Sequence, residues 1–197
     1  FILFKRSWKQ STAVLLMIVL ALGWIQRWPA GDWQVAQCDV GQGDSLVVNL
    51  GDHRAIVIDV GPDSLAEDKC LKNLGIKEIP LLILSHFHAD HIGGLQDFPN
   101  ARFICFNSAY TAVKNRQGWQ ALRAGFLPGL LPPDFDRRML AVEDLPSIAL
   151  PPEYAPFVTG FDLFGDASLL AVELPGHATG QLGVFLAADD RHYFLIA

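Results

Sequence analysis

Three of the chain's six histidines, His86, His88 and His91, fall together with Asp90 in one short run, Ser85-His86-Phe87-His88-Ala89-Asp90-His91-Ile92-Gly93-Gly94. On an extended backbone His86 and His88 point to the same side, because side chains alternate with a period of two. A turn into a helix immediately afterwards would aim Asp90 and His91 back at a neighbouring point. One short loop would then offer ligands to two adjacent cations. Imidazole and carboxylate together suit zinc, and also manganese or iron. A hydroxide held between two such cations is a nucleophile at neutral pH, so the chemistry to expect is hydrolysis. A polar loop with incidental histidines accounts poorly for this spacing.

The elements that must position this run are readable around it. Pro80 to Ser85 (PLLILS) is a short apolar run of the kind expected for a strand buried on both faces. Upstream, Trp33 to Asp39 and Ser45 to Leu50 read as strands joined through Gly41-Gln42-Gly43. Arg54 to Asp59 is a third strand, stopped by Gly61-Pro62. Asp63 to Leu74 reads as a helix with Gly75 as its stop. Downstream, Phe103 to Phe106 fits a strand and Thr111 to Ala124 a helix. Prolines from Pro128 to Pro156 then break the chain into loops and short pieces over the site. Strand patterns return at Ser168 to Glu173, Leu182 to Ala187 and Tyr193 to Ala197. A meander followed by helix–strand alternation implies a layered α/β domain over residues 32–197.

Composition narrows the partners. With 51% apolar and 18% charged residues the chain is not a disordered one. A net charge of −6 argues against a free-standing basic nucleic-acid binder. Cys38, Cys70 and Cys105 include no C-x-x-C pair. They are expected to be three small buried hydrophobes, with neither a disulfide framework nor a zinc ribbon.

Residues 1–31 form a separate segment. Ser11 to Ile25 carries no charge, with Lys5, Arg6 and Lys9 before it and Arg27 after it. Extended from Trp8 to Trp28, with tryptophans at both edges, it is expected to be a transmembrane helix whose basic end faces the cytoplasm. The hydrolase domain would then lie on the extracytoplasmic side of the cell membrane. A signal peptide would need a small-x-small exit, which Arg27-Trp28-Pro29-Ala30-Gly31 lacks. A buried amphipathic helix would need polar residues every few positions, and residues 13–22 have none.

The run SHFHADHIGG resembles the H-x-H-x-D-H signature of the metallo-β-lactamase fold, an αββα sandwich. That resemblance implies that His86 and His88 serve a first metal site and that Asp90 and His91 serve a second and take part in catalysis. It also implies a third ligand for the first site in a P-G-H turn. Leu174-Pro175-Gly176-His177-Ala178-Thr179-Gly180 supplies such a turn, which assigns His177. Asp59 matches the family's aspartate under the metal loop, implied to orient a ligand; by residue type alone a strand-end turn aspartate fits nearly as well. The family's bridging aspartate and last histidine come after a further strand. Because the chain stops at Phe194-Leu195-Ile196-Ala197, the fold is expected to be C-terminally truncated and the second site incomplete.

Within that superfamily, Cys38-Asp39-Val40-Gly41-Gln42-Gly43-Asp44-Ser45 resembles the DVGQGD segment of the ComEC competence-protein family. The similarity runs over about residues 5–95 and implies a membrane-linked hydrolase handling DNA during uptake by means of metal-bound hydroxide. Asp44 would orient a ligand or water there, or else cap a hairpin turn. From about residue 96 onward, PGHATGQLGVFL looks more like stand-alone metallo-hydrolases of small esters, thioesters or lactones. Lys114, Arg116, Arg123, Arg137 and Arg138 could form a strip that guides a phosphate backbone. A solvated helix face is the other reading of the same charges. The leading expectation is therefore the ComEC-type domain. A stand-alone hydrolase of small esters is the first alternative, and an inactive domain that only binds DNA or a partner is the second.

Overall fold

The computed structural model describes residues 2–25, 32–188 and 191–197. The chain divides into two units, Phe1–Trp33 and Gln34–Ala197. In the first, α1 (Ile2–Ile25) is a continuous helix. Lys5, Arg6 and Lys9 fall inside it, so the uncharged stretch runs only from Gln10 to Ile25, short of the roughly 20 residues a bilayer requires. Among the described residues, no helix is long and apolar enough to cross a membrane, and the expected span, which runs on to Trp28, ends outside them. Arg27, Trp28 and the expected linker at Pro29 and Gly31 lie outside the described residues.

The second unit is built on two sheets. The first contains β1 (Val35–Gln37), β2 (Leu46–Gly51), β3 (Arg54–Ile58), β4 (Glu78–Ile83), β5 (Arg102–Cys105) and β6 (Met139–Ala141), in that spatial order. β1 to β3 pair antiparallel, as adjacent hairpin strands do, and β3 to β6 pair parallel. Parallel neighbours need crossover connections. α2 (Ser64–Asn73) supplies the first, between β3 and β4. The second sheet is antiparallel, in the order β11 (Arg191–Leu195), β10 (Gln181–Ala188), β9 (Leu169–Leu174), β8 (Thr159–Asp162), β7 (Ser147–Ala149). This is the expected two-sheet α/β fold.

Val47, Ile56, Ile58, Leu82, Ile83 and Phe103 are buried in the first sheet, and Leu170, Val172, Leu182 and Val184 in the second. The two sheets meet where the Phe106 and Phe161 rings pack edge to face, 5.8 Å apart. They meet again where the Leu182 amide of β10 donates to the Ser85 carbonyl at 2.8 Å. That hydrogen bond fixes the end of β4, where the histidine run begins, against the second sheet.

Two local expectations change. The helix expected over Thr111–Ala124 is two helices, α4 (Asn107–Val113) and α5 (Gly118–Arg123), after α3 (Ala89–Ile92) in the histidine run. The chain breaks between α4 and α5 because Gly118 adopts φ +52°, outside the helical region. The cysteines are not three free hydrophobes either. Cys38, just after β1, is disulfide-bonded to Cys70 of α2, 32 positions away, and only Cys105 is a buried free thiol. The pairing arises because the β3–α2 crossover returns the chain beside β1, bringing the two Cα atoms within 5.8 Å.

Candidate metal centre

The site is organised from below by Asp59. This fully buried residue follows β3 with φ +56°, a left-handed conformation that costs a non-glycine residue about 1–3 kcal/mol. Its neighbours hold it there. The Asp59 amide donates to the Ile83 carbonyl at 2.9 Å, and the Val60 amide donates to the His91 carbonyl at 2.9 Å. Asp59 Oδ1 then accepts the Ser85 amide at 2.8 Å, and Oδ2 accepts the Ser85 hydroxyl and His91 Nδ1, the latter at 2.8 Å.

Proton directions follow from donor chemistry. A carboxylate only accepts, so His91 Nδ1 carries its hydrogen toward Asp59, and Nε2 is the nitrogen turned away from that carboxylate. The Ser85 hydroxyl donates to Asp59, so its oxygen accepts from His86 Nδ1 at 2.9 Å, which frees His86 Nε2. His86 Nε2 lies 3.0 Å from His88 Nδ1, which is also 3.0 Å from His177 Nε2. Burial, reinforced by the surrounding histidines, pushes His86 down to about 3, so it is neutral at ordinary pH. His88 is lowered for the same first reason. Burial also acts to lower His91, but its hydrogen bond to Asp59 and that residue's charge outweigh it and raise His91 above the usual imidazole range. Burial raises Asp59 despite those same contacts.

Three imidazole nitrogens therefore converge from two distant parts of the chain. One cation can use the three converging lone pairs, and neutral imidazoles at this spacing fit tetrahedral zinc. Asp59, His86 and His91 also lie within ligand distance of one another. Both carboxylate oxygens of Asp59 are already occupied by Ser85 and His91, so its action is to aim those residues. Asp90 is half-buried beside His91 and is not part of either group.

The glycine-rich segment Val40–Asp44 lies against this loop. A Cβ on Gly43 would fall 1.9 Å from the Asp90 carbonyl oxygen, so only glycine allows the approach. The Asp44 side chain accepts from Gln37 Nε2 at 3.3 Å, and its carbonyl accepts the Gly61 amide at 3.1 Å. Its charge reaches His91 and helps to raise that residue.

The basic residues do not form one strip. Arg138 hydrogen-bonds Asp134 and the Phe98 and Ala101 carbonyls and covers the Phe103 ring, so it is part of the packing. Arg137 pairs with Asp134, and the Lys114 ammonium sits over the Tyr110 ring. Arg123 is exposed in the last turn of α5. Arg116 alone of these residues lines a cavity shared with His88.

Two contributors escaped the sequence reading. Ser85 links Asp59 to His86, and its position directly before the first histidine was the available signal. Gly125 backs His88 so closely that a Cβ there would fall 2.8 Å from the ring, and its carbonyl accepts the Ala89 amide at 2.8 Å.

The sequence profile of the metallo-beta-lactamase superfamily matches residues 38–193. The chain belongs to that superfamily. Among similar proteins, an N-acyl homoserine lactonase AttM of Azorhizobium caulinodans is 30% identical over 151 residues, covering 73% of this chain and 51% of that protein. Its namesake from Rhizobium radiobacter is 31% identical over 128 residues, covering 64% and 43%. The chain thus spans about half the length of these relatives. Among solved structures, MEM-A1, a subclass B3 metallo-beta-lactamase from a soil metagenome library, superposes with a TM-score of 0.57 at 20% identity over 84% of this chain and 60% of that one. AidC, a dizinc quorum-quenching lactonase, gives 0.54 at 20% identity, covering 77% and 54%. These superpositions establish the superfamily fold. The narrower resemblance to competence proteins finds no support in these relatives.

Proposed function

We propose that this chain carries the metal-binding part of a hydrolase of small carboxylic esters, with lactones as the leading substrate class. The observation that carries the reading is the convergence of His86 Nε2, His88 Nδ1 and His177 Nε2, with the Asp59–Ser85 pair setting the tautomer of His86. The lactonase names of the relatives support the substrate class.

In this reading His86, His88 and His177 hold a zinc ion, and Asp90 and His91 offer donors toward a second. Zinc supplies a Lewis acid and brings the pKa of water down to about 7. The protein's own residues do the rest. Asp59 aims His91 directly and, through Ser85, fixes the tautomer of His86 so that its Nε2 faces the site. Asp90, the half-buried carboxylate of the loop, takes up the proton released as water adds to the ester carbonyl. The small side chains Ala109, Ala112, Ala124 and Ala178 leave room beside His88 for the acyl part of a substrate.

DNA fits this site poorly, because the net charge is −6 and the basic residues are dispersed. The Cys38–Cys70 disulfide supports an oxidising compartment, in keeping with the extracytoplasmic side.

Zinc-loaded protein should be assayed in parallel on N-hexanoyl homoserine lactone, p-nitrophenyl butyrate and bis-p-nitrophenyl phosphate. Ester or lactone turnover well above phosphodiester turnover, abolished in His88→Ala, supports the reading. Dominant phosphodiester turnover would replace it with a nuclease-like one. Stoichiometric zinc with no turnover would favour a binding domain.

A further inference from the structure

The cavity beside His88 has a volume of about 120 Å³. Small side chains make most of its wall, among them Ala109, Ala112, Ala124 and Ala178, and no carboxylate lines it. Its polar lining side chains are those of His88, a member of the three-imidazole group, of Thr179, and of Arg116, which lies in the break between α4 and α5.

Arg116 differs from the cations around it. Its Nε donates to the Ala112 carbonyl at 2.7 Å, one turn back in the chain, which anchors the guanidinium at the cavity. Among the described residues no ion pair engages it, whereas Arg137 and Arg138 both pair with Asp134. A guanidinium has donors beyond Nε, in a planar fork that matches a carboxylate.

We propose that Arg116 is a specificity-determining residue that binds a carboxylate on the acyl arm of the substrate. The preferred substrates are then small esters or lactones whose acyl arm crosses the apolar cavity and ends in an anionic group. This inference rests on the ester-hydrolase reading, and it adds the charge of the substrate to it.

The test compares two ligands of equal length in zinc-loaded protein by calorimetry, glutarate with a carboxylate at both ends and pentanoate with one. It is run with the parent, Arg116→Gln and Arg116→Lys, each checked for an unchanged melting temperature. The parent should bind glutarate about tenfold more tightly than pentanoate, as expected for one added charge-assisted pair. Arg116→Gln should remove that preference, and Arg116→Lys should restore part of it. Equal affinities for the two acids in the parent, or a preference that survives in Arg116→Gln, would overturn the proposal. A parallel assay reads the ratio of kcat/KM for the 4-nitrophenyl monoesters of glutaric and pentanoic acids. Its ratio should fall about tenfold in Arg116→Gln. If neither ester is turned over while the glutarate preference holds, the hydrolase reading fails and Arg116 as an anion site stands. If both are turned over at a ratio indifferent to Arg116, the inference fails and the hydrolase reading stands.

Discussion

Asp59 Oδ2 lies 2.8 Å from His91 Nδ1, and the same carboxylate holds Ser85 through its amide and its hydroxyl. One buried residue at the end of β3 therefore orients His91 directly and His86 through Ser85. Residues of this kind, beneath a metal site, govern affinity without touching the ion.

Asp59→Asn places an amide where three donors, the Ser85 amide, the Ser85 hydroxyl and His91 Nδ1, meet an acceptor. Zinc affinity should fall 10–100-fold, read by competition with a chromophoric chelator. Stability should fall by about 2 kcal/mol, because a buried donor loses its partner. An unchanged zinc affinity would mean that His86 and His91 are aimed by something else.

Gly43→Ala would drive a methyl group into the Asp90 carbonyl, 1.9 Å away, on a backbone at φ +65°. Gly41→Ala, at φ +86° with nothing within 4 Å, pays only the left-handed conformation, about 1–2 kcal/mol. Thermal melts should therefore rank Gly43→Ala clearly below Gly41→Ala, and only Gly43→Ala should also lose activity. Equal losses would mean that the segment does not press on the metal loop.

The histidine run and β3 to β5 were readable because each is a local pattern, whereas His177 in the P-G-H turn was assigned only through the resemblance to the metallo-β-lactamase fold. Apolar strand runs, a glycine stop and alternating histidines need no knowledge of distant chain. The failures are tertiary. Cys38 and Cys70 meet only because the crossover through α2 returns beside β1, which no spacing rule anticipates. The basic residues from Lys114 to Arg138 look continuous in sequence. Asp134 and the Phe98 and Ala101 carbonyls then draw Arg138 into the packing, and Arg116 turns to the cavity by His88. The long apolar run near the N-terminus does form a helix, but its early charges lie inside α1 and shorten the uncharged part.

Glu67 gives a pH dependence with a defined sign. It is fully buried on α2 near Ser45, and burial pushes its carboxyl from 4.5 up to about 7, with the Ser45 hydroxyl tempering the rise. The folded protein thus binds this proton more tightly than the unfolded chain. Its contribution to stability is complete below pH 4.5, declines as pH rises toward 7, and is level above that. The decline amounts to about 3 kcal/mol. In denaturant titrations, Glu67→Gln should match the parent near pH 4.5 and exceed it at pH 8. A variant no more stable than the parent at pH 8 would contradict the burial argument.

The Cys38–Cys70 bond closes a loop with a sequence separation of 32, worth about 3–4 kcal/mol by loop-closure entropy. Reductant should lower the melting temperature of the parent. In Cys38→Ser/Cys70→Ser the temperature should already be low and should not respond to reductant. A parent indifferent to reductant would show that the bond contributes nothing to stability.

His177 meets His88, 89 positions earlier in the chain, and so joins the pair that His88 forms with His86. The most direct test is calorimetric titration of zinc into metal-free protein, parent against His177→Ala. A tight zinc site in the parent, weakened at least 100-fold in the variant, is the predicted result. Equal zinc affinity in the two proteins would show that the three imidazoles do not act as one site.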